Sequence, residues 1–224
     1  MACVGIVGGL GVGATVHYYE KIAAACKARG IVPDLLFNHA DANTGQVFIR
    51  AGRLDQLGDY LAPYIDQLAA GGAQAVAIPA VTPHIAIAEI KARTKVPLIN
   101  IMETLGAELR AKKLKRVALF GTIYTMQGSL WGQMTDAEIV KPQPDEMKFV
   151  GEAYQRLLDT QMPAPGDIER LREIAATLQK RDGIETILLA GTDLTVIFDE
   201  ANAGFPCIDV ARPHIDAIVE RLVS

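Results

Sequence analysis

Short apolar runs alternate along the chain with longer segments in which apolar residues recur every three or four positions. CVGIVGG (3–9) predicts a strand that ends in a glycine turn, and the segment after it predicts a helix that stops at Gly30. This alternation is typical of a parallel sheet whose faces are covered by helices. The same pattern predicts strands over 34–41, 75–79 and 96–103, and helices over 53–71 and 84–93.

The second half of the chain repeats this order of elements. KRVALFGT (115–122) predicts a strand that meets a glycine, as the first strand does. Prolines in KPQPDE and PAPGD predict loops on either side of a helix over 146–159. The remaining predicted elements are strands over 183–193 and 205–212 and a final helix over 213–224.

Matching residues of the two halves have similar separations. Gly8 and Thr82 are 74 positions apart (82 − 8), and Gly121 and Thr192 are 71 positions apart (192 − 121). A repeat of βα units implies two similar, doubly wound α/β lobes related by a pseudo-twofold axis, with their strand ends facing across one cleft. The expected lobes are residues 1–101 together with the final helix 213–224, and residues 102–212.

Composition and charge narrow the class of protein. The chain has 224 residues, of which 50% are hydrophobic and 21% are charged, enough for a substantial core. Its formal net charge of -4 provides no basic field for DNA or RNA, and no apolar run approaches the length of a membrane span. We therefore expect no nucleic-acid partner and no membrane partner.

The N-terminus and the cysteines favour a cytoplasmic protein. MACVGIVGGLG lacks the basic segment of a secretory signal and passes directly into a glycine turn, so it is interpreted as a strand. Cys3, Cys26 and Cys207 match no metal or redox spacing. We expect all three to be reduced packing residues, and we expect no metal site.

Polar side chains follow the strand predicted at 75–79. The stretch AIPAVTPHI brings Thr82 and His84 to the carboxyl end of that strand, where α/β sheets bind ligands. Imidazole titrates near neutral pH, so His84 is a candidate general acid or base; alternatively, it opens the next helix and has a structural role. The position at which a nucleophile or base would be expected is Ala80.

The glycines after the first strand indicate an anion site. GGLGVGAT (8–15) does not fit the dinucleotide fingerprint G-x-G-x-x-G, and only Asp41 is available as an acid at the end of the second strand. Loop amides and the N-terminus of the following helix favour a carboxylate instead. Gly11 and Thr15 are the binding residues that this interpretation predicts.

Several segments together resemble the aspartate/glutamate racemase superfamily, and more closely its aspartate-racemase branch. In chain order they are GIVGGLGVGAT with YYEKI, FIRAGRLDQLGDYL, ALFGTIYTMQG and LLAGTDL. The resemblance covers nearly the whole chain and implies a homodimer that racemises small acidic amino acids without a cofactor. It also implies a mechanism with two thiols on opposite faces of the substrate, one removing the α-proton and the other delivering a proton.

This sequence departs from the family pattern at both thiols. The Cys-Asn-Thr loop of the family reads Ala-Val-Thr here, with Ala80 in place of cysteine. The Gly-Cys-Thr-Glu loop reads Ala-Gly-Thr-Asp, with Gly191 in place of cysteine. One positioned acid or base contributes roughly 10²- to 10⁴-fold to a rate, or about 3 to 5 kcal/mol. Racemisation by two thiols is therefore not expected.

The surviving polar residues give the predicted catalytic pair. His84 and Asp193 are expected to handle protons, although Asp193 equally suits the N-cap of the next helix. Thr82 and Thr192 are expected to bind a substrate carboxylate. The resemblance implies that Arg50 holds a distal carboxylate, for which a guanidinium is well suited.

Other candidate contacts are less defined. Tyr124 and Thr125 lie on the loop that matches a substrate-lining loop of the family, and capping or packing explains them equally well. The resemblance also implies a lysine in the second lobe as a second cation. Lys148 and Arg156 are nearby in the sequence, and neither can be assigned to that role.

The leading hypothesis is a cofactor-independent isomerase of the racemase superfamily that acts on a small carboxylate, such as an acidic amino acid, with atypical catalytic residues. One alternative is a decarboxylase or lyase acting on a related carboxylate. Another is a catalytically inactive protein that binds an acidic metabolite, and a third is a structural partner of another enzyme.

Overall fold

The structure is a computed structural model that describes residues 2–224. The chain divides into two units. The first unit comprises the chain through Ile101 together with Pro213–Ser224, and the second unit comprises Met102–Arg212. Each unit contains one four-stranded sheet with helices packed against it.

In the first half of the chain, the two central strands are buried and the two edge strands are partly exposed. β1 is buried along its whole length, whereas β2 at the edge of the sheet is partly exposed. The elements are β1 (Val4–Gly8), α1 (Val12–Ala28), β2 (Leu35–His39), α2 (Ala42–Arg50), α3 (Leu54–Ala70), β3 (Ala75–Ala77), a 3-10 turn (Thr82–Ala86), α4 (Ile87–Arg93), β4 (Leu98–Ile99) and α5 (Ile101–Lys112).

The second half contains an equivalent set of strands. Its central strands are buried, and its partly exposed edge strand is short. The elements are β5 (Arg116–Phe120), α6 (Ile123–Gly128), a 3-10 turn (Ser129–Gly132), β6 (Glu138–Val140), α7 (Pro144–Thr160), α8 (Asp167–Asp182), β7 (Thr186–Leu189), a 3-10 turn (Thr192–Val196), β8 (Cys207–Asp209) and α9 (Ala211–Val223).

The two sheets have the same topology. Their strand orders are β2-β1-β3-β4 and β6-β5-β7-β8, and every pair is parallel. Within each sheet, the chain reverses its direction of winding between the two central strands, and ligands of open α/β sheets bind at this switch point. The predicted α/β fold of two parallel-sheet lobes is confirmed.

Some predicted boundaries are wrong. The strand expected over 96–103 ends at Ile99, because α5 begins at Ile101 and continues the apolar run with its own buried face. The strand expected over 205–212 is limited to Cys207–Asp209, and the final helix begins at Ala211 rather than at 213. Apart from the 3-10 turns, five elements were not predicted: α2, α5, α6, β6 and α8.

The thiols are packed into the structure. Cys26 and Cys207 are buried, Cys3 is half-buried, and all three are unpaired with other cysteines. Burial raises the pKa of each thiol, that of Cys207 to about 11, so the protonated form predominates at neutral pH.

Within residues 2–224, no helix combines the length and apolar character needed to cross a membrane.

A buried hydrogen-bonded chain attaches α9 to the first lobe. His214 Nε2 lies 2.8 Å from the Ile99 carbonyl oxygen, which can only accept, so Nε2 carries the proton. The Tyr18 hydroxyl therefore donates to His214 Nδ1, at 2.9 Å. Burial lowers the pKa of His214 to about 3, and the nearby His84 adds to the lowering, so the imidazole is neutral in the folded protein.

The buried imidazole predicts a loss of stability in mild acid. The folded-state pKa of His214 lies below its ordinary unfolded value of about 6.5, so the unfolded state gains a proton first as the pH falls. The stabilising contribution is therefore complete above pH 6.5 and is lost as the pH falls towards 3. We expect this group to remove about 2 kcal/mol from the free energy of unfolding between pH 8 and pH 5.

Urea unfolding of the native protein and of His214→Gln at both pH values measures this contribution. The variant is expected to lose less stability than the native protein over the same interval, because glutamine does not titrate. Parallel losses in the two proteins would contradict a neutral, buried His214.

Candidate active site

In the first lobe, the loop after β3 places three predicted site residues on one turn. The Ala80 N–H donates to the Ile78 carbonyl at 2.8 Å, which ends the strand in a tight turn. Thr82 then opens the 3-10 turn, and Ala80 is buried with only its methyl group to offer. The polar groups that this loop retains are therefore the Thr82 hydroxyl and the His84 imidazole.

A main-chain contact orients the imidazole of His84. Its Nδ1 lies 2.8 Å from the Ala80 carbonyl oxygen, and its exposed fraction is 1%. Because a carbonyl can only accept, Nδ1 carries the proton and donates. In the neutral ring, Nε2 is then the nitrogen with the lone pair, which is the form required of a general base.

The glycine loop after β1 is held together by Thr15. The Thr15 hydroxyl donates to the Gly11 carbonyl at 2.8 Å and accepts from the Gly9 N–H at 3.1 Å. Gly11 is the N-cap of α1 and contributes no side-chain hydrogen bond, and the first turn of α1 contains no acidic residue. Thr15 therefore shapes the loop, and the N-terminal turn of α1 keeps the positive end of the helix dipole without an acidic side chain.

Arg50 lies on α2, which follows the edge strand β2. It is the last residue of α2, is exposed, and donates from Nη2 to Gln46 Oε1 at 2.8 Å. At the start of α2, the Asp41 carboxylate accepts from the Thr44 N–H at 2.8 Å and from the Asn43 N–H at 3.3 Å. Asp41 is thus a helix cap.

In the second lobe, the loops after β5 and β7 are in direct contact. The Gly191 N–H donates to the Phe120 carbonyl at 3.0 Å. A Cβ atom at Gly121 would lie 2.9 Å from the main chain of Ala190 and Gly191, so this approach requires a glycine. Thr122 caps α6 by accepting from the Thr125 N–H at 3.1 Å.

The expected contacts Tyr124 and Thr125 differ in their surroundings. Thr125 is fully buried, and its hydroxyl lies 3.0 Å from that of Thr122, so it belongs to the cap of α6. Tyr124 is half-buried on the first turn of the same helix.

The ring of Tyr154 occupies the space that a side chain at Gly191 would need. A Cβ atom built on Gly191 would lie 2.6 Å from Tyr154 Cδ2 and 2.8 Å from Cζ, and it would also collide with Cε2. Tyr154 lies on the buried face of α7 and is 6% exposed. The space beside Gly191 is therefore filled by an aromatic ring from another element.

Asp193 is tied to that ring and to the end of α7. Its Oδ2 accepts from the Tyr154 hydroxyl at 3.3 Å, its Oδ1 accepts from Gln161 Nε2 at 3.2 Å, and the residue is fully buried. Burial and the charge of Asp193 raise the pKa of Tyr154 well above its ordinary value, while hydrogen bonds from the Asp193 main chain and the Thr192 side chain oppose that shift. Tyr154 is thus a neutral phenol that donates its proton to Asp193.

Arg156 and Lys148, the two cations considered for the second lobe, each lie close to an acidic residue of that lobe. Arg156 forms a two-point ion pair with the buried Asp167, with contacts of 3.1 Å and 2.5 Å. Lys148 is exposed and lies 4.0 Å from Glu152 on the next turn of α7. Tyr154 and Gln161, rather than these cations, approach the loop after β7.

The structure gathers the predicted residues within each lobe. In the first lobe, β1 is followed by Gly11 and Thr15. The adjacent strand β3 is followed by Ala80, Thr82 and His84, whereas the edge strand β2 precedes the helix that carries Arg50. Tyr154 and Gln161 were missed by the sequence analysis. Helical spacing places Tyr154 on a buried face, but no local pattern indicates which loop that face contacts.

Each lobe contains one parallel four-stranded sheet, and the two sheets have the same topology. Thr82 and Thr192 open the turns that follow β3 and β7. These features define a two-lobed α/β protein of the racemase type. The model of the Asp/Glu/Hydantoin racemase family matches residues 7–218, so the chain belongs to that family. Membership supports a racemase or isomerase that acts on a small carboxylate.

Solved structures share this fold. A candidate Asp/Glu racemase from Yersinia pestis superimposes with a TM-score of 0.86 at 21% identity, covering 100% of both chains. An aspartate racemase homologue from Pyrococcus horikoshii gives 0.80 at 21% identity over 100% of both chains. The aspartate racemase of Picrophilus torridus gives 0.76 at 19% identity, over 100% of this chain and 95% of its own.

The packing of Tyr154 predicts that even a methyl group at residue 191 is costly. Gly191→Ala is expected to lower the free energy of unfolding by about 1 to 3 kcal/mol, because the added atom overpacks a buried site. Gly151→Ala is the matched control, since its Cβ would meet Ile123 at an ordinary 3.4 Å and alanine favours the helix. Urea unfolding of both variants measures the difference.

The same substitution on a Tyr154→Ala background tests the cause. Without the ring, Gly191→Ala is expected to cost almost nothing, which gives a coupling energy of about the size of the single-variant loss. An equal loss with and without the ring would show that the strain arises elsewhere.

Proposed function

We propose that this protein is a cofactor-independent enzyme of the racemase family in which the imidazole of His84 transfers the α-proton of a small carboxylate. An acidic amino acid is the proposed substrate class. Aspartate and glutamate fit the family description, and the chain carries an arginine, Arg50, suited to a second carboxylate. Decarboxylation or elimination on a related carboxylate would use the same proton-transfer group.

The contact between His84 and the Ala80 carbonyl carries this proposal. It fixes the ring so that Nε2 is the basic nitrogen, and the ring is placed at the carboxyl end of a central strand. Ligands of this fold class bind at that edge of the sheet.

Binding is assigned to the groups around that ring. The Thr82 hydroxyl on the same turn donates to the substrate carboxylate, and the N-terminal turn of α1 beyond Gly11 supplies positive potential. Thr192 occupies the corresponding place in the turn after β7 of the second lobe, where its side chain hydrogen-bonds to Tyr154. Thr15 acts indirectly, because its hydroxyl holds the glycine loop in shape.

The proton balance is simple. His84 Nε2 takes the α-proton and becomes an imidazolium, and the electron pair of the C–H bond moves into an enolate of the substrate carboxylate. Return of a proton from the imidazolium to the same carbon regenerates both partners. Asp193 is bonded to Tyr154 and Gln161 within its own lobe, and no proton transfer is assigned to it.

A second candidate function is binding of an acidic metabolite without turnover. The ring of Tyr154 against Gly191 favours it, because that contact removes the second proton-transfer position of the family. If the protein only binds a metabolite, substitution of His84 changes the affinity for that metabolite and no reaction rate.

Exchange of the α-proton with D₂O tests catalysis. The purified protein is incubated in D₂O with racemic aspartate and, separately, with racemic glutamate, and loss of the α-proton signal is followed by NMR. Exchange is expected with at least one of the two. His84→Gln is expected to slow it roughly 10²- to 10⁴-fold, the usual contribution of one positioned base.

Lys27→Gln is the control, because Lys27 is an exposed residue in the last turn of α1, away from the carboxyl ends of the strands. It is expected to exchange at the native rate. Binding of these amino acids by calorimetry without any exchange would overturn the catalytic proposal and support the metabolite-binding protein.

A further inference from the structure

In both lobes the third strand, β3 or β7, is followed by a similar 3-10 turn, but the side chains of the two turns differ. In the first lobe, the 3-10 turn Thr82–Ala86 reads Thr-Pro-His-Ile-Ala, and in the second lobe, Thr192–Val196 reads Thr-Asp-Leu-Thr-Val. Each follows a strand that closes with a 2.8 Å bond between residues two apart, Ala80 to Ile78 and Ala190 to Leu188. The third residue of the first turn is His84, and that of the second is the fully buried Leu194.

The ionisable groups that adjoin the second turn are bonded to each other. Tyr154 donates to Asp193, and burial keeps the phenol protonated, so it is a poor base. Asp193 accepts through both oxygens and has no exposed surface. Proton transfer from either group to a substrate would first break a buried hydrogen bond, which costs about 1 to 3 kcal/mol.

Water is also excluded beside Gly191. The ring carbons of Tyr154 lie 2.6 Å and 2.8 Å from the point at which a Cβ would stand, which leaves no room for a water oxygen there. The ring is held by its hydroxyl as well as by packing on α7. A solvent molecule therefore cannot replace the missing side chain as a proton donor at this residue.

From this asymmetry we infer that proton transfer comes from the first lobe alone, so that the enzyme exchanges the α-proton of one enantiomer with retention of configuration and does not racemise it. The inference rests on the proposed role of His84. Inversion needs removal of a proton from one face of the α-carbon and delivery to the other, whereas a single imidazole removes and returns on one face.

Each step of this exchange balances. His84 Nε2 removes the α-proton, the imidazolium exchanges that proton with D₂O, and the deuteron returns to the same face of the enolate. The net reaction converts one C–H bond and one D₂O into one C–D bond and one HDO, with no oxidant or other co-reactant. Tyr154 is a positioning residue here, since it closes the second position without touching the reacting atoms.

The experiment uses enantiopure L-aspartate, D-aspartate, L-glutamate and D-glutamate separately in D₂O. α-Deuteration is followed by NMR, and enantiomeric composition is followed by chiral chromatography of the same samples. We expect deuterium to enter only one enantiomer of an amino acid, with inversion at least ~100-fold slower than exchange, the smaller contribution of a positioned acid.

The outcomes separate this inference from the function on which it rests. Exchange accompanied by inversion at a similar rate would overturn the single-face inference and leave the catalytic role of His84 intact. Absence of deuterium in all four amino acids would overturn both.

Tyr154→Phe provides a second readout, because it keeps the ring against Gly191 and removes the hydroxyl. Retention is expected to persist in this variant, and circular dichroism checks that it is folded. Inversion in the native protein that disappears in Tyr154→Phe, with exchange preserved, would identify the hydroxyl as a second proton carrier and would contradict the inference.

Discussion

The packing of the Tyr154 ring against the main chain of Gly191 determines what the second lobe can do. A side chain at residue 191 and the ring of Tyr154 cannot occupy the same volume, so the ring is possible only because residue 191 is a glycine. The hydroxyl of the same ring donates to Asp193 Oδ2 at 3.3 Å. In this lobe the turn after β7 thus adjoins a buried polar cluster of Tyr154, Gln161 and Asp193.

The corresponding turn of the first lobe has a different chemistry. Ala80 contributes only a methyl side chain to the turn after β3. Its main-chain carbonyl accepts a hydrogen bond from His84 Nδ1, which leaves Nε2 as the basic nitrogen of that ring. In the same lobe, burial and the nearby His84 lower the pKa of His214 and keep its imidazole neutral. Its hydrogen bonds to Tyr18 and to the Ile99 carbonyl attach α9 to this lobe. The two lobes therefore share a topology, while only the first keeps an imidazole at the edge where ligands of this fold bind.

Most of the fold could be predicted because each lobe repeats strongly apolar strands separated by helical spacing. The failures have local causes. VPLINIME reads as one apolar run, yet β4 ends at Ile99 and the buried face of α5 begins at Ile101, so the hydrophobic signal crosses the boundary between two elements. β6 is short and partly exposed, which leaves little pattern to detect. The cluster of Tyr154, Gln161 and Asp193 depends on contacts between distant segments, which spacing along the chain does not encode.

The central claim is that His84 presents a basic Nε2, and nitrogen NMR of the ¹⁵N-histidine-labelled protein tests it most directly. The His84 signals are identified by their absence in His84→Gln. The two ring nitrogens are then distinguished by their chemical shifts at a pH at which the ring is neutral. The geometry predicts a proton on Nδ1 and a lone pair on Nε2, because the Ala80 carbonyl can only accept. A neutral His84 with its proton on Nε2 would contradict this arrangement and the proton-transfer role assigned to it.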